Sequence, residues 1–180
     1  MKVYEPLMVE HQLITRLLNV VETESMRIKQ INRVNVKFVD LVTDFFVTYL
    51  DLAHHGKEEN ILFKWLITKN ISKEHLRMMN ELLEEHRIGR KIIVELINSS
   101  DNYSKGSSNE WGSISALFDD FVDLYRKHIK KEDDDYYIEC SNYFTQEEQD
   151  KIIREFWILD IRLVHDKYKN ILDMMEGKEV

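Results

Sequence analysis

The sequence predicts an all-α protein, a helical bundle with an additional C-terminal helix. Three observations carry that expectation. The 180 residues contain only five Gly and one Pro, so long segments run without a breaker. Apolar residues recur at three- and four-residue intervals in segment after segment. At 43% hydrophobic content one core is affordable, and a single domain over 1–180 is expected, with a bundle over about 4–140 and a C-terminal helix over about 145–176.

The first helix is expected to start near Glu5–Pro6, because Pro is tolerated in a first turn and nowhere deeper. Its apolar row is Leu7, His11, Ile14, Leu18 and Val21, which puts a histidine where a core residue belongs. In the second helix the three-four alternation through Phe38, Leu41, Phe45, Thr48, Leu52, His55, Glu59 and Leu62 is apolar until His55 and Glu59 enter it. The competing pair His54 and Glu58 shares a row with Lys37, Asp40, Asp44 and Asp51, so it is expected to face solvent. A break near Lys69–Ser72 follows, with Ser72 as the N-cap of the third helix. That helix reads Met79, Leu82, His86, Gly89 or Arg90, Ile93 and Ile97 inward, with Gly89 as a point of close helix packing. His75 stands about 16 Å before His86 by helical rise and is read as a helix-start residue.

The polar stretch Asn98–Glu110 is expected to be the main loop. The fourth helix then repeats the pattern: Ile114, Leu117, Phe121, Tyr125, His128, Glu132, Tyr136. Asp133 lies about 140° round the helix from His128, which makes Glu132 the better partner for that histidine. Thr145-Gln-Glu-Glu caps a last amphipathic helix carrying Ile152, Ile153, Phe156, Trp157, Leu163, Val164, Tyr168 and Ile171, suited to covering the bundle or to a dimer contact. His165 on it is read as structural, and Cys140 as a small buried residue.

Charge and motif content narrow the function. A formal charge of −8 with dispersed Lys and Arg argues against nucleic acid and against an anionic membrane surface. No apolar run approaches the roughly 18–20 residues of a membrane span, and no secretory segment is visible, so a cytoplasmic location is expected. One cysteine excludes an internal disulfide and a cysteine metal site.

What remains is a repeated His-x-x-x-Glu pair, His55 with Glu59 and His128 with Glu132, together with the lone inward histidines His11 and His86. An imidazole and a carboxylate buried together need a compensating partner, and a cation satisfies both. Four histidines and two glutamates from four helices approach the donor set of a two-metal bundle site. If both glutamates bridge, and an oxo or hydroxo group also bridges, one octahedral position stays open. Imidazole and carboxylate without thiolate suit iron, and also manganese or zinc. An open position beside an intact bridge favours iron. The histidine-rich balance favours binding of a small ligand over strong oxidation.

Glu10-His11, His54-His55-Gly-Lys-Glu58-Glu59 with Ile61-Leu62-Phe63, Glu85-His86, and His128-Ile-Lys-Lys-Glu132-Asp133 together resemble the hemerythrin-like HHE cation-binding domain family. The resemblance implies a hemerythrin-like up-down four-helix bundle around a non-haem di-iron centre held by His11, His55, Glu59, His86, His128 and Glu132. Oxygen-carrying members draw a fifth histidine from the third helix, whereas Leu82 and Arg90 stand at those spacings here. The six-residue set is closer to that of iron-sulfur cluster repair proteins, although this chain starts almost directly at its first bundle helix. The leading expectation is therefore a di-iron protein, monomer or homodimer, that binds oxygen or nitric oxide for sensing, storage or delivery. The alternatives are an enzyme that decomposes peroxide or nitric oxide or donates iron to clusters, with Tyr49 or Tyr125 as a relay, and a bundle that a non-redox cation merely stabilises.

Overall fold

A computed structural model describes the backbone of residues 1–175 and the side chains of residues 1–163. The described residues form five long helices and no strand. Helix α1 spans Glu5–Ile31, with Pro in its first turn, and ends where Asn32 turns left-handed at φ 53° and donates to Ile28 O. Helix α2 runs continuously over residues 36–66, α3 spans Lys73–Ser104, α4 runs over residues 110–141, and α5 spans Gln146–Met175. Ser72 caps α3 by accepting from His75 N at 3.0 Å. Thr145 and Glu148 form a reciprocal capping box at the start of α5. The roles expected of His165, Val164, Tyr168 and Ile171 fall on side chains outside the described residues.

Neighbouring helices are antiparallel. Along α1 and α4 the pairs Lys29–Asp119, Glu22–Arg126 and His11–Asp133 run in opposite directions, and Asp51–Arg90 and Glu59–His86 do the same for α2 and α3. Short connections between long helices leave no other arrangement.

The loop expected over Asn98–Glu110 is shorter than that. Helix α3 continues to Ser104 because Tyr103 packs on the core and accepts a bond from Val34 N at 3.3 Å, while Ser100 is buried. Gly106, at φ +103°, then ends the helix, and Ser107 N reaches back to Asn102 O at 3.0 Å. Polar composition marked the segment as a loop, but tertiary contacts hold its first half in helix.

Helix α2 departs further from expectation. It starts as α-helix over Val36–Phe45, becomes π-helical over Phe46–His55 and again over Glu58–Leu62, and closes as α-helix over Phe63–Leu66. The buried row is Val42, Phe46, Leu50, His54, Glu58 and Leu62, one residue in every four. In ordinary α geometry a four-residue repeat slips about 40° per step and would reach the opposite face after five steps. A wider π turn slips in the opposite sense, so the alternation of α and π turns keeps the row on one side. The expected row is displaced accordingly: Leu41 and Leu52 are 69% and 49% exposed.

The buried residues divide into two apolar clusters. One contains Ile14, Leu18, Phe46, Leu50, Ile93, Phe118 and Phe121; the other contains Leu7, Leu62, Leu66, Leu82, Tyr136, Ile152 and Phe156. Among the described residues, helix α5 packs on the second. On each bundle helix the polar residues described next fall in the seam between the two.

Candidate metal centre

Seven buried donors meet in that seam: His11 from α1, His54, His55 and Glu58 from α2, His86 from α3, and His128 and Glu132 from α4. They form two groups, His55, Glu58, His86 and His128 on one side and His11, His54 and Glu132 on the other, with the ligand atoms of each group within 4.8 Å of one another. Both glutamates face both groups. Glu58 Oε2 lies 3.4 Å from His86 Nε2 and 3.8 Å from His54 Nε2. Glu132 places Oε2 at 3.2 Å from His11 Nε2 and Oε1 at 3.3 Å from His128 Nε2.

All five histidines are oriented in the same way. Each Nδ1 donates to a carboxylate: His11 to Asp133 at 2.8 Å, His54 to Glu10 at 2.9 Å, His55 to Asp51 at 3.1 Å, His86 to Glu59 at 2.7 Å, and His128 to Glu85 at 2.9 Å. A proton fixed on Nδ1 leaves the Nε2 lone pair as the free donor, the tautomer a metal ligand needs. The carboxylates are held in turn by cations: Glu10 by Lys57, Asp51 and Glu59 by Arg90, and Glu85 by Lys131.

The interior atoms are left unsatisfied. His55 Nε2, Glu58 Oε2 and both oxygens of Glu132 are buried with no hydrogen-bond partner. His11 and His54 present Nε2 to Nε2 at 3.0 Å, as do His86 and His128 at 3.2 Å. With both Nδ1 atoms protonated, each facing pair of nitrogens needs a proton or a cation between them, and each unpaired buried polar atom costs about 1–3 kcal/mol, more for a charged one. Cations in the seam would satisfy all of these atoms together, so the donor set fits a metal centre.

The protonation of the metal-free protein follows from the same geometry. Burial presses the His11 pKa down, but Asp133 and Glu132 outweigh it and push it up to about 10. His54 and His55 are pressed well below the usual imidazole value by burial, assisted by neighbouring imidazoles. Burial, reinforced by the Glu132 charge, raises Glu58. A metal ion held between His11 and His54 would therefore displace a proton from His11.

Of the residues singled out in the sequence, His11, His55, His86, His128 and Glu132 converge. Glu59 does not: its side chain is 23% exposed and it holds His86 Nδ1 and Arg90 from outside. His54 and Glu58, expected in solvent, are 2% and 0% exposed. The π-helical turns of α2 carry His54, His55 and Glu58 inward together, so the fifth imidazole comes from α2, and Arg90 of α3 serves the surrounding carboxylates. The signal for this was present in the four-residue recurrence from Val42 to Leu62. Asp133 does not replace Glu132; it orients His11.

The matching family model is that of the hemerythrin HHE cation binding domain, over residues 2–139. The chain belongs to that family. No curated protein and no solved structure matches it. Membership agrees with the cation fit of the seam, and α5 begins beyond the matched residues of the hemerythrin domain. No helix among the described residues is long and apolar enough to cross a membrane.

Aromatic side chains line this hemerythrin-type centre. Tyr137 donates its hydroxyl to Glu58 Oε1 and stacks on His11 at 5.7 Å. Tyr125 stacks on His55 at 5.9 Å, and its buried hydroxyl occupies the space beside Gly89, where a Cβ would stand 2.0 Å from it. Gly89 is thus a point of close packing, as its position suggested. Tyr49 packs on Phe45, so Tyr137 is the tyrosine bonded to a ligand carboxylate.

Proposed function

We propose that this chain holds two metal ions, iron in the working protein, and binds a small ligand such as oxygen or nitric oxide for sensing, storage or delivery. The observation that supports it is the unequal division of donors between two carboxylates that face both sides. Three imidazoles, His55, His86 and His128, stand with Glu58 and Glu132 on one side, and two, His11 and His54, stand with the same carboxylates on the other. A metal ion on the two-histidine side would have fewer protein donors and so more room for the small ligand.

Iron, when bound, would supply electron exchange with such a ligand; manganese or zinc would fit the same donors. The chain's own residues set the conditions. The Nδ1 carboxylates keep each ring oriented and basic, and the flanking apolar clusters exclude water. Tyr137 holds Glu58 by a hydrogen bond at its other oxygen. A surface pocket lined by Met8, Gln12, Thr15 and Asp133 reaches His11, which gives a small ligand an approach on the two-histidine side. A free buried thiol at Cys140 suits a reducing, cytoplasmic setting.

Metal analysis and the absorption spectrum of protein isolated from its native source test the proposal, before and after exposure to oxygen and to nitric oxide. About two irons per chain, with a band that appears and reverses with the ligand, is the expected result. Less than about half a metal ion per chain sinks the metal reading. Consumption of peroxide or nitric oxide over many turnovers would replace ligand binding with catalysis.

A further inference from the structure

Lys57 is 1% exposed, an unusual place for a lysine. Its ammonium donates to Glu10 Oε1 from α1 and lies 2.6 Å from Asp160 Oδ1 of α5. The other oxygen of Glu10 accepts from His54 Nδ1 at 2.9 Å. A continuous chain of charged contacts therefore runs from Asp160 on the last helix, through Lys57 and Glu10, to an imidazole of the two-histidine side. Helix α5 is pressed close at this point: a Cβ at Gly56 would stand 3.4 Å from Leu159 Cδ2. The other two cations around the centre differ. Arg90 is 38% exposed and Lys131 25%, so water can solvate them. Lys57 relies on its two carboxylates.

We propose that Lys57, held by Asp160, is a positioning residue of the metal centre that fixes Glu10 against His54, and that α5 thereby helps to hold the metal on the two-histidine side. Asp160 shares the charge of the buried ammonium. Without it Glu10 alone must balance Lys57, and the carboxylate is drawn from the imidazole towards the lysine. His54 then loses orientation and basicity, while His55, His86 and His128 keep their own carboxylates. A helix outside the matched family residues would in this way set the occupancy of one half of the site.

The inference rests on the dinuclear reading above, and cobalt(II) titration of the metal-free full chain, followed by calorimetry and visible absorption, separates the two. Wild type is expected to take two equivalents. Asp160→Asn should weaken the second about tenfold and leave the first unchanged, and Lys57→Gln should do at least as much. Asp160→Glu should restore most of the loss. Glu155→Ala, which removes a different α5–α2 bond, the one Glu155 accepts from Trp65 Nε1 at 3.2 Å, should move neither equivalent. If Asp160→Asn binds both equivalents as wild type does, or if Glu155→Ala produces the same loss, α5 is only docked there and the proposal is overturned. If wild type takes fewer than two equivalents, the dinuclear reading falls and this one with it.

Discussion

Helices α2 and α4 carry the same kind of motif, histidine and glutamate four residues apart, yet their side chains arrive at the centre by different geometry. On α4 the backbone stays α-helical up to Lys131, and π-helical turns begin only at Glu132, so the row Phe121, Tyr125, His128 and Glu132 points where simple periodicity places it. On α2 the π-helical turns begin at Phe46, eight residues before His54, and the register has shifted by the time the chain reaches His54 and Glu58. The same spacing therefore selects Glu132 over Asp133 on α4 as expected, and Glu58 over Glu59 on α2 against expectation. A helical motif is only as readable as the helix that precedes it.

The most severe test of this comparison is the pair of glutamates on α2. Glu58→Gln should lower metal affinity more than 100-fold, because it removes a carboxylate that faces both groups. Glu59→Gln should cost only about 10- to 100-fold, as the loss of an outer partner of His86. Equilibrium dialysis with cobalt(II) measures both, and equal losses, or the reverse order, would restore the unshifted register. Next in size, His54→Ala should leave one strongly bound ion of two, whereas Lys37→Ala, in the row where His54 was expected, should change nothing.

A smaller effect is expected at Gly89, where α3 faces α4. Gly89→Ala drives a methyl into the Tyr125 hydroxyl and should destabilise the fold by about 1–3 kcal/mol in urea unfolding. Gly89→Ala combined with Tyr125→Phe should recover part of that loss. An unchanged midpoint in the single variant would mean that the two helices are not in close contact there.

The smallest effect is in protons. His11 in the metal-free protein titrates at about 10, above the ordinary 6.5 of an unfolded histidine. Its charge therefore contributes stability fully below pH 6.5, and that contribution is lost as pH rises through 10. Metal loading at pH 8 should release this proton, visible as a dependence of the binding heat on the ionisation enthalpy of the buffer. His11→Gln should reduce that dependence, and a wild-type heat independent of buffer would contradict the His11–Asp133–Glu132 arrangement.

Much of the protein was legible in the sequence because short-range physics decides it. The scarcity of Gly and Pro gave long helices, the apolar rows of α1, α3 and α4 placed His11, His86, His128 and Glu132 inward, and Ser72 and Thr145 marked helix starts that the structure keeps. Tertiary structure decided what depends on neighbours. Val42, Phe46 and Leu50 pack against α3 and α4 only if α2 widens its turns, and that packing turns His54 and Glu58 inward while leaving Glu59 to Arg90. The carboxylates that orient His11, His54, His86 and His128 each come from a different helix from the histidine they serve: Asp133, Glu10, Glu59 and Glu85. Local sequence sets which residues share a face of a regular helix, but the pitch of α2 and the pairing of charges across helices follow from how the faces pack together.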